Sequence, residues 1–314
     1  MNPPSLSRPD ILRILHQLGP LARECCLTSG AALVLYGVKK RTRDVDLICG
    51  SGTAQRLLAE GCPFHESPLE GRIFTISDLV EVLEGWPMED TITLGEYRLS
   101  SLESIRKQKV ALGREKDFAD IQLIDSFLER RAAPIRLETP RLVLRDYIPR
   151  DEEDYFLLKS HPKTMYYLQD IMLHSREEGR KDFANVLADA ARPDRRFYFL
   201  RAQLKESGQQ IGSVGYTVTE VNPMGKHVGA GYFYLPEFWG QGFGTEAMER
   251  VLRFAFEENG VYRVSTGCLA ENRGSERIMQ KCGMTLEASR PSWTWHEGQL
   301  KERHEYYSLN TWES

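Results

Sequence analysis

The sequence predicts an α/β (α+β) protein built as two domains, each a mixed sheet with helices. Three observations carry that expectation. The chain has 314 residues, more than one core ordinarily organises. Short strand-like runs alternate with helix-periodic segments in both halves. Between them a charged helix end, Glu129-Arg130-Arg131, meets Ala132-Ala133-Pro134, and proline cannot continue a helix. The linker is placed at about residues 130–136, between a domain of residues 1–131 and one of residues 135–314. A linker this short implies domains that touch.

Composition excludes several classes. The chain is 41% hydrophobic and 27% charged, as soluble globular proteins are. No apolar run is long enough to span a bilayer, and the start, MNPPSLSRPDILRIL, lacks the apolar core of a signal peptide. A net charge of −4 argues against nucleic acid as a partner, although Lys39-Lys40-Arg41 is locally basic. Six cysteines (Cys25, Cys26, Cys49, Cys62, Cys268 and Cys282) show no CxxC spacing, so neither a zinc site nor a disulfide framework is expected. A reduced, cytoplasmic setting follows. The oligomeric state is not legible.

In the first half, Ser7 to Leu18 reads as a helix ended by Gly19-Pro20. Leu27 to Gly37 reads as a small-residue turn at Ser29-Gly30 leading into a short apolar helix that Gly37 closes. Asp44-Val45-Asp46 follows. On a strand, residues two apart point the same way, so both carboxylates face one side and can share a divalent cation such as Mg²⁺. A solvated strand edge gives the same pattern. The order Ser29-Gly30, helix, Asp-x-Asp resembles the polymerase-beta-like nucleotidyltransferases over about residues 20–130. The resemblance implies that the Ser29-Gly30 turn holds an NTP triphosphate and that Asp44 and Asp46 hold metal, joined by a third acid at Glu81, with Asp78 as the alternative. The run from Lys109 through Gly113-Arg114-Glu115-Lys116-Asp117 to Asp120 resembles the closing block of antitoxin-type and antibiotic-modifying members. Physically it reads as two helices joined by a salt-bridge network, which is the preferred reading over direct catalysis.

In the second half, strands are expected at 135–145, Phe197–Arg201, Ile211–Val218, Val228–Leu235, Tyr262–Leu269, Thr285–Arg290 and His304–Asn310. Helices are expected near Asp151–Ser160, Glu177–Ala191 and Asn272–Met284, the last ending at Gly283. The organising stretch is Gly231 to Ala247, GYFYLPEFWGQGFGTEA. A strand delivers the chain to Pro236 and then to a turn with Gly240, Gly242 and Gly244. Thr245 opens a helical pattern. Glycines let the backbone approach a ligand, several N–H groups converge, and the helix dipole adds positive potential. Such a turn suits a phosphate.

This stretch resembles the acetyl-coenzyme A loop of the GNAT N-acetyltransferases, in particular the branch that acetylates ribosomal-protein N-termini. LETPRLVLRDY resembles a frequent opening of that branch. The resemblance implies that Trp239, Gly240, Gln241, Gly242, Phe243, Gly244 and Thr245 hold acetyl-CoA, with Asn272 and Ser275 near its pantetheine arm. Asn272 also suits a helix cap. A backbone N–H near Tyr234 and Leu235 is the expected oxyanion donor, and Ser275 a candidate proton donor. The branch's usual acid and base are missing: Gly229-Ala230 and Met279 stand in their places. Glu220 and His227 are alternative bases, and catalysis by positioning alone is a further possibility. The acceptor is an amine, on a protein N-terminus or a small molecule, with its pocket expected from Tyr166–Met172 and Pro291–Leu300. Two alternatives stay open: the first domain as the principal or a second enzyme, making a bifunctional antibiotic-modifying protein, or as a non-catalytic recognition module.

Overall fold

The computed structural model describes residues 5–88 and 90–312. The outer ends of the two expected domains, residues 1–4 and 313–314, lie outside the described residues, as does part of the N-terminal segment read for a signal peptide. The chain divides into two compact units. The first takes in the residues up to Arg131, together with Val221–Gly225 and the stretch from Thr311; the second comprises Ala132–Glu220 and Lys226–Asn310.

The first unit runs α1 (Arg8–Leu18), α2 (Pro20–Glu24), β1 (Cys26–Thr28), α3 (Ser29–Tyr36), β2 (Val45–Ile48), α4 (Ser51–Ala59), β3 (Phe64–Ser67), β4 (Gly71–Ser77), β5 (Val80–Leu83), β6 (Thr91–Leu94), β7 (Tyr97–Ser100), α5 (Leu102–Leu112) and α6 (Glu115–Ala132). Its seven-stranded sheet has the order β3-β4-β5-β2-β1-β7-β6. Parallel pairing of β2 with β5 and of β1 with β7 makes it mixed. Central strands buried on both faces read as continuous apolar runs, which is why Leu27, Leu47, Val82 and Leu99 are fully covered. The sheet core continues into Ile105 of α5 and Ile124 of α6. Helix α6 reaches Ala132, so the break falls at its end and not within it.

The second unit runs β8 (Arg136–Glu138), β9 (Leu142–Arg145), α7 (Glu152–Ser160), α8 (Arg176–Ala190), β10 (Leu200–Leu204), β11 (Gln210–Asn222), β12 (Gly225–Tyr234), α9 (Phe243–Arg253), β13 (Val261–Leu269), α10 (Arg273–Lys281), β14 (Thr285–His296) and β15 (Gln299–Leu309). The eight-stranded order is β14-β15-β13-β12-β11-β10-β9-β8. The amphipathic α9 buries Ala247, Met248, Val251 and Leu252 against this sheet.

Two expectations need correction. The strand placed at Phe197–Arg201 starts at Leu200; Phe197 makes only an isolated bridge to Thr217. Its aromatic run pattern misled because Tyr198 instead stacks on Tyr216. The strand expected at Thr285–Arg290 runs on to His296, and residues 291–300 form the tip of a long hairpin, with Trp295 paired to Leu300 and His296 to Gln299. Glu297 and Gly298 both take positive φ, 49° and 76°, the two-residue turn whose twist suits a hairpin.

Candidate active site

In the second unit β12 and β13 pair in parallel from Lys226 to Gly229, opposite Val261 to Ser265. Beyond that the strands part. On the other side the Leu235 N–H donates to the Ile211 carbonyl, 2.9 Å away. Backbone groups of successive strand residues point to opposite sides. The Tyr234 N–H therefore faces the gap left by β13, whereas that of Leu235 is spent on β11. This corrects the expectation for Leu235: it offers no free oxyanion donor.

The Tyr234 carbonyl shares that open side, and the indole Nε1–H of Trp239 donates to it at 2.7 Å. The glycine turn is thus fastened to the open strand end by a side chain that is itself 52% exposed. Within the turn, Gln241 Nε2 donates to the Glu237 carbonyl at 2.8 Å. Gly242, at φ 83°, is the N-cap of α9, which starts at Phe243, two residues before the expected Thr245. The first-turn N–H groups of a helix have no intrahelical acceptor. Those of Phe243, Gly244 and Thr245 are accordingly available to an anion, and the helix dipole favours one. Gly244 is glycine for a different reason: a Cβ there would lie 2.6 Å from Cδ1 of Ile278 on α10.

Sequence reasoning missed Arg141. Its Nη1 donates to the Gln241 carbonyl at 3.1 Å, its Nε reaches Glu246 Oε2 at 2.6 Å, and its guanidinium lies over the Phe243 ring, 4.2 Å from the centroid. Burial works to raise the Glu246 pKa, but Thr139 and Arg141 prevail and hold it below the usual carboxylate range. A fixed cation therefore sits at the mouth of the turn. The only available signal was its place in the LETPRLVLRDY phrase.

Asn272 caps α10, its side chain accepting from the Ser275 N–H at 3.1 Å. The Ser275 hydroxyl lies 2.8 Å from the Tyr232 hydroxyl, and Tyr232 also donates to the Ser275 carbonyl at 3.0 Å. Met279 is fully buried and supplies no proton. The Tyr234 hydroxyl is buried without a hydrogen-bond partner among the described residues, and burial raises its pKa. His227 and Glu220 stand 3.9 Å apart. His227 precedes Tyr234 by seven strand positions, about 23 Å at the usual rise. His227 lies in the paired part of β12 and Glu220 beside it on β11, so neither is placed to serve as base at the open end of β12.

The two expected acceptor segments do meet. Tyr166 and Tyr167 pack on His296, at ring separations of 4.9 and 5.6 Å. His296 is buried, and its Nε2 has no partner among the described residues. Leu168 and Met172 pack with Leu235, Phe233 and Met165, tying the first segment to the end of β12.

In the first unit, Asp46 on β2 and Glu81 on β5 are Cα partners across a parallel pair. Asp44 lies one residue before the strand begins. Burial, then the neighbouring Asp44 and Glu81 charges, push Asp46 up to about 7, against a hydrogen bond from Ser29 that lowers it. Ser29 takes φ 52°, a left-handed conformation unusual for a residue other than glycine and a form of strain common at functional sites. Thr28, Ser29, Asp46, Trp86, Lys109 and Arg114 line one cleft. Gly30 is accounted for differently than expected: a Cβ there would meet Thr42 Oγ1 at 2.2 Å, so its space is filled by protein. Among the described residues no three His, Cys, Asp or Glu side chains form a ready metal cage. The Lys109–Asp120 block is a buried ion network. Lys109 Nζ lies 2.8 Å from both Asp117 and Asp120, and Arg114 lies 2.6 Å from Asp117.

Residues 141–285 match the family model described as the Acetyltransferase (GNAT) domain. The second unit therefore carries a GNAT acetyltransferase domain, and the protein is an acyltransferase. The uncharacterized N-acetyltransferase YoaA of Bacillus subtilis is 26% identical over 153 residues, 48% of this chain and 83% of its own. YnaD, a second uncharacterized N-acetyltransferase of that organism, is 26% identical over 155 residues, 49% of this chain and 84% of its own. Among solved structures, the ribosomal-protein-S5-alanine acetyltransferase of Vibrio fischeri aligns with 18% identity and a TM-score of 0.49, over 57% of this chain and all of that one. Among the described residues no helix is long and apolar enough to cross a membrane. All six cysteines are free.

Proposed function

We propose that the second unit transfers an acetyl group from acetyl-CoA to an amine, on a protein N-terminus or a small molecule. The observation that carries this reading is the open end of β12: the Tyr234 N–H faces the gap beside a turn whose N–H groups suit a pyrophosphate. Bound acetyl-CoA would supply the activated acyl thioester. Gly240 to Thr245 and Arg141 would hold its phosphates, with Trp239 fixing the turn to the strand. Asn272 and Ser275 would face its pantetheine arm. The Tyr234 N–H would donate to the oxygen that gains charge during acyl transfer. Calorimetry with acetyl-CoA tests the reading. Binding that Arg141→Ala weakens and that bulky replacement of Gly242 abolishes is the expected result; no binding to the intact protein would sink it.

A second reading concerns the first unit. Asp46 is crowded by Asp44 and Glu81 in a cleft with Lys109 and Arg114, a charge arrangement that Mg²⁺ with an NTP would relieve. Asp44, Asp46 and Glu81 would hold the metal and Ser29 the phosphates. Titration of the protein with Mg²⁺-ATP decides. Binding lost in Asp46→Asn supports a nucleotide site, and labelled product from NTPs would make the protein bifunctional. Absence of binding would leave the unit as a recognition module. The free cysteines are consistent with a reducing, cytoplasmic setting.

A further inference from the structure

An amine reaches an acyltransferase as an ammonium ion and must lose a proton before it can attack. The sequence-suggested bases, Glu220 on β11 and His227 on β12, lie away from the open end of β12. A different group stands at the open end. His304 on β15 is the Cα partner of Cys268 on β13, and its Nδ1 lies 2.7 Å from Glu276 Oε1 on α10. Glu276 is buried and fully engaged: Arg273 Nη1 donates to it at 2.6 Å and the Tyr306 hydroxyl at 3.2 Å. Those donors, Arg273 foremost, hold the carboxyl below its usual range. An ionised Glu276 can only accept, so Nδ1 of His304 carries a proton.

The lone pair of a neutral His304 is then on Nε2. That atom lies 3.4 Å from Oε1 of Glu302. Two acceptors face each other, and a proton or a donor group between them satisfies both. The Glu302 oxygen also accepts from the Ser289 hydroxyl of β14. Glu302 lines an open cavity with Ala270, Glu271, Gln299 and Lys301, just past the end of β13. Lys301 is already paired with Glu271 at 2.8 Å and with Glu297 at 3.4 Å. The cavity therefore has carboxylate to spare for a cation. Residues 299–306 lie outside the segment that matches the acetyltransferase family model.

We propose that His304 Nε2, reached through Glu302 at the cavity wall, receives the proton of the acceptor's ammonium group, and that Glu276 is the positioning residue that holds Nε2 toward Glu302. This rests on the acetyltransferase reading above. In the step, one ammonium N–H bond breaks, its electron pair stays on nitrogen and the proton goes to Nε2. The nitrogen then bonds to the acyl carbon, the carbon–sulfur bond breaks, and its electron pair leaves on sulfur. A second proton from that nitrogen completes the thiol. Imidazolium between Glu276 and Glu302 returns its proton to solvent.

Nitrogen-detected NMR of ¹⁵N-histidine-labelled protein tests this, with n-butylammonium as the cation probe and n-butanol as its neutral match. The expected result is an Nδ1–H tautomer for His304 and an Nε2 resonance moved by butylammonium and not by butanol. Glu302→Gln should weaken that response at least fivefold. Glu276→Gln, whose amide can donate to Nδ1, should move His304 toward the Nε2–H tautomer and abolish the response to butylammonium, with Arg273 on α10, Cys268 on β13, Ser289 on β14, and Glu302 and Tyr306 on β15 left in place. An Nε2–H tautomer in the wild type, or an Nε2 signal indifferent to butylammonium, would overturn the proposal. Acetyl-CoA calorimetry on the wild type and on Glu302→Gln reads the parent hypothesis separately, because Glu302 belongs neither to the glycine turn nor to the Asn272–Ser275 segment.

Discussion

The indole N–H of Trp239 donates to the carbonyl of Tyr234, 2.7 Å away, and so fixes the glycine turn to the end of β12, beyond its pairing with β13. A neutral hydrogen bond is worth about 1 kcal/mol net. Trp239→Phe keeps the ring and removes the donor. Acetyl-CoA affinity should fall roughly fivefold, with little change in melting temperature because the side chain is largely exposed. Calorimetry paired with thermal unfolding checks both halves; a large loss of stability would show that the bond serves the fold more than the turn.

Gly244→Ala should destabilise the second unit by about 1–3 kcal/mol, the usual cost of overpacking. The clash is with the far end of a side chain, Cδ1 of Ile278. Ile278→Val in the same chain should recover much of the loss. A denaturant double-mutant cycle reads the coupling, and strictly additive effects would show that the contact is not what excludes alanine.

Lys109→Met leaves Asp117 and Asp120 buried without their shared cation. Removing one partner of a buried ion network costs about 3–5 kcal/mol, so the first unit should unfold at markedly lower denaturant. Burial opposes ionisation of both acids, but Lys109 with Arg114 or Lys39 outweighs it, and their pKa values are lowered from 3.8. A lowered folded pKa means stability that is present above the unfolded value and lost as pH falls through the folded one. The wild-type network should therefore fail only below about pH 4. A Lys109→Met protein as stable as the wild type at pH 7 would contradict this.

Asp46 behaves in the opposite sense. Its folded pKa, about 7, lies above the ordinary 3.8. Its contribution is fully present below 3.8 and is lost as pH rises toward and past 7. Asp46→Asn should raise the melting temperature at pH 8 and leave it unchanged at pH 4. Equal effects at both values would remove the crowding argument for a cation.

Much of the architecture was legible because it rests on local signals. Gly37 and Gly113 end their helices in left-handed conformations, at φ 78° and 60°, and Asn272 caps α10, all from residues whose chemistry leaves few alternatives. The glycine turn was legible for the same reason. What was not legible depends on which side of a strand a backbone group faces. Nothing in the letters Tyr234-Leu235 says that one N–H is spent on β11 and the other is not. Arg141 and His304 were missed because their partners, Glu246 and Glu276, lie 105 and 28 residues away. The continuation of β14 past Arg290 was not legible because Pro291 has no N–H for a ladder, whereas β14 is an edge strand, where proline is tolerated.

Gly242 and Gly244 are two residues apart in one turn, yet they forbid different things. At Gly242 the backbone lies where φ is 83°, and the nearest atom to an added Cβ is 3.5 Å away, on the end of Arg141. The restriction there is one of handedness, and a D-alanine introduced by semisynthesis meets the backbone requirement that L-alanine fails. Gly244 sits in the first turn of a right-handed helix with Ile278 against it. Its restriction is one of volume. The same letter in the sequence thus records a chirality constraint at one position and an excluded volume at the next.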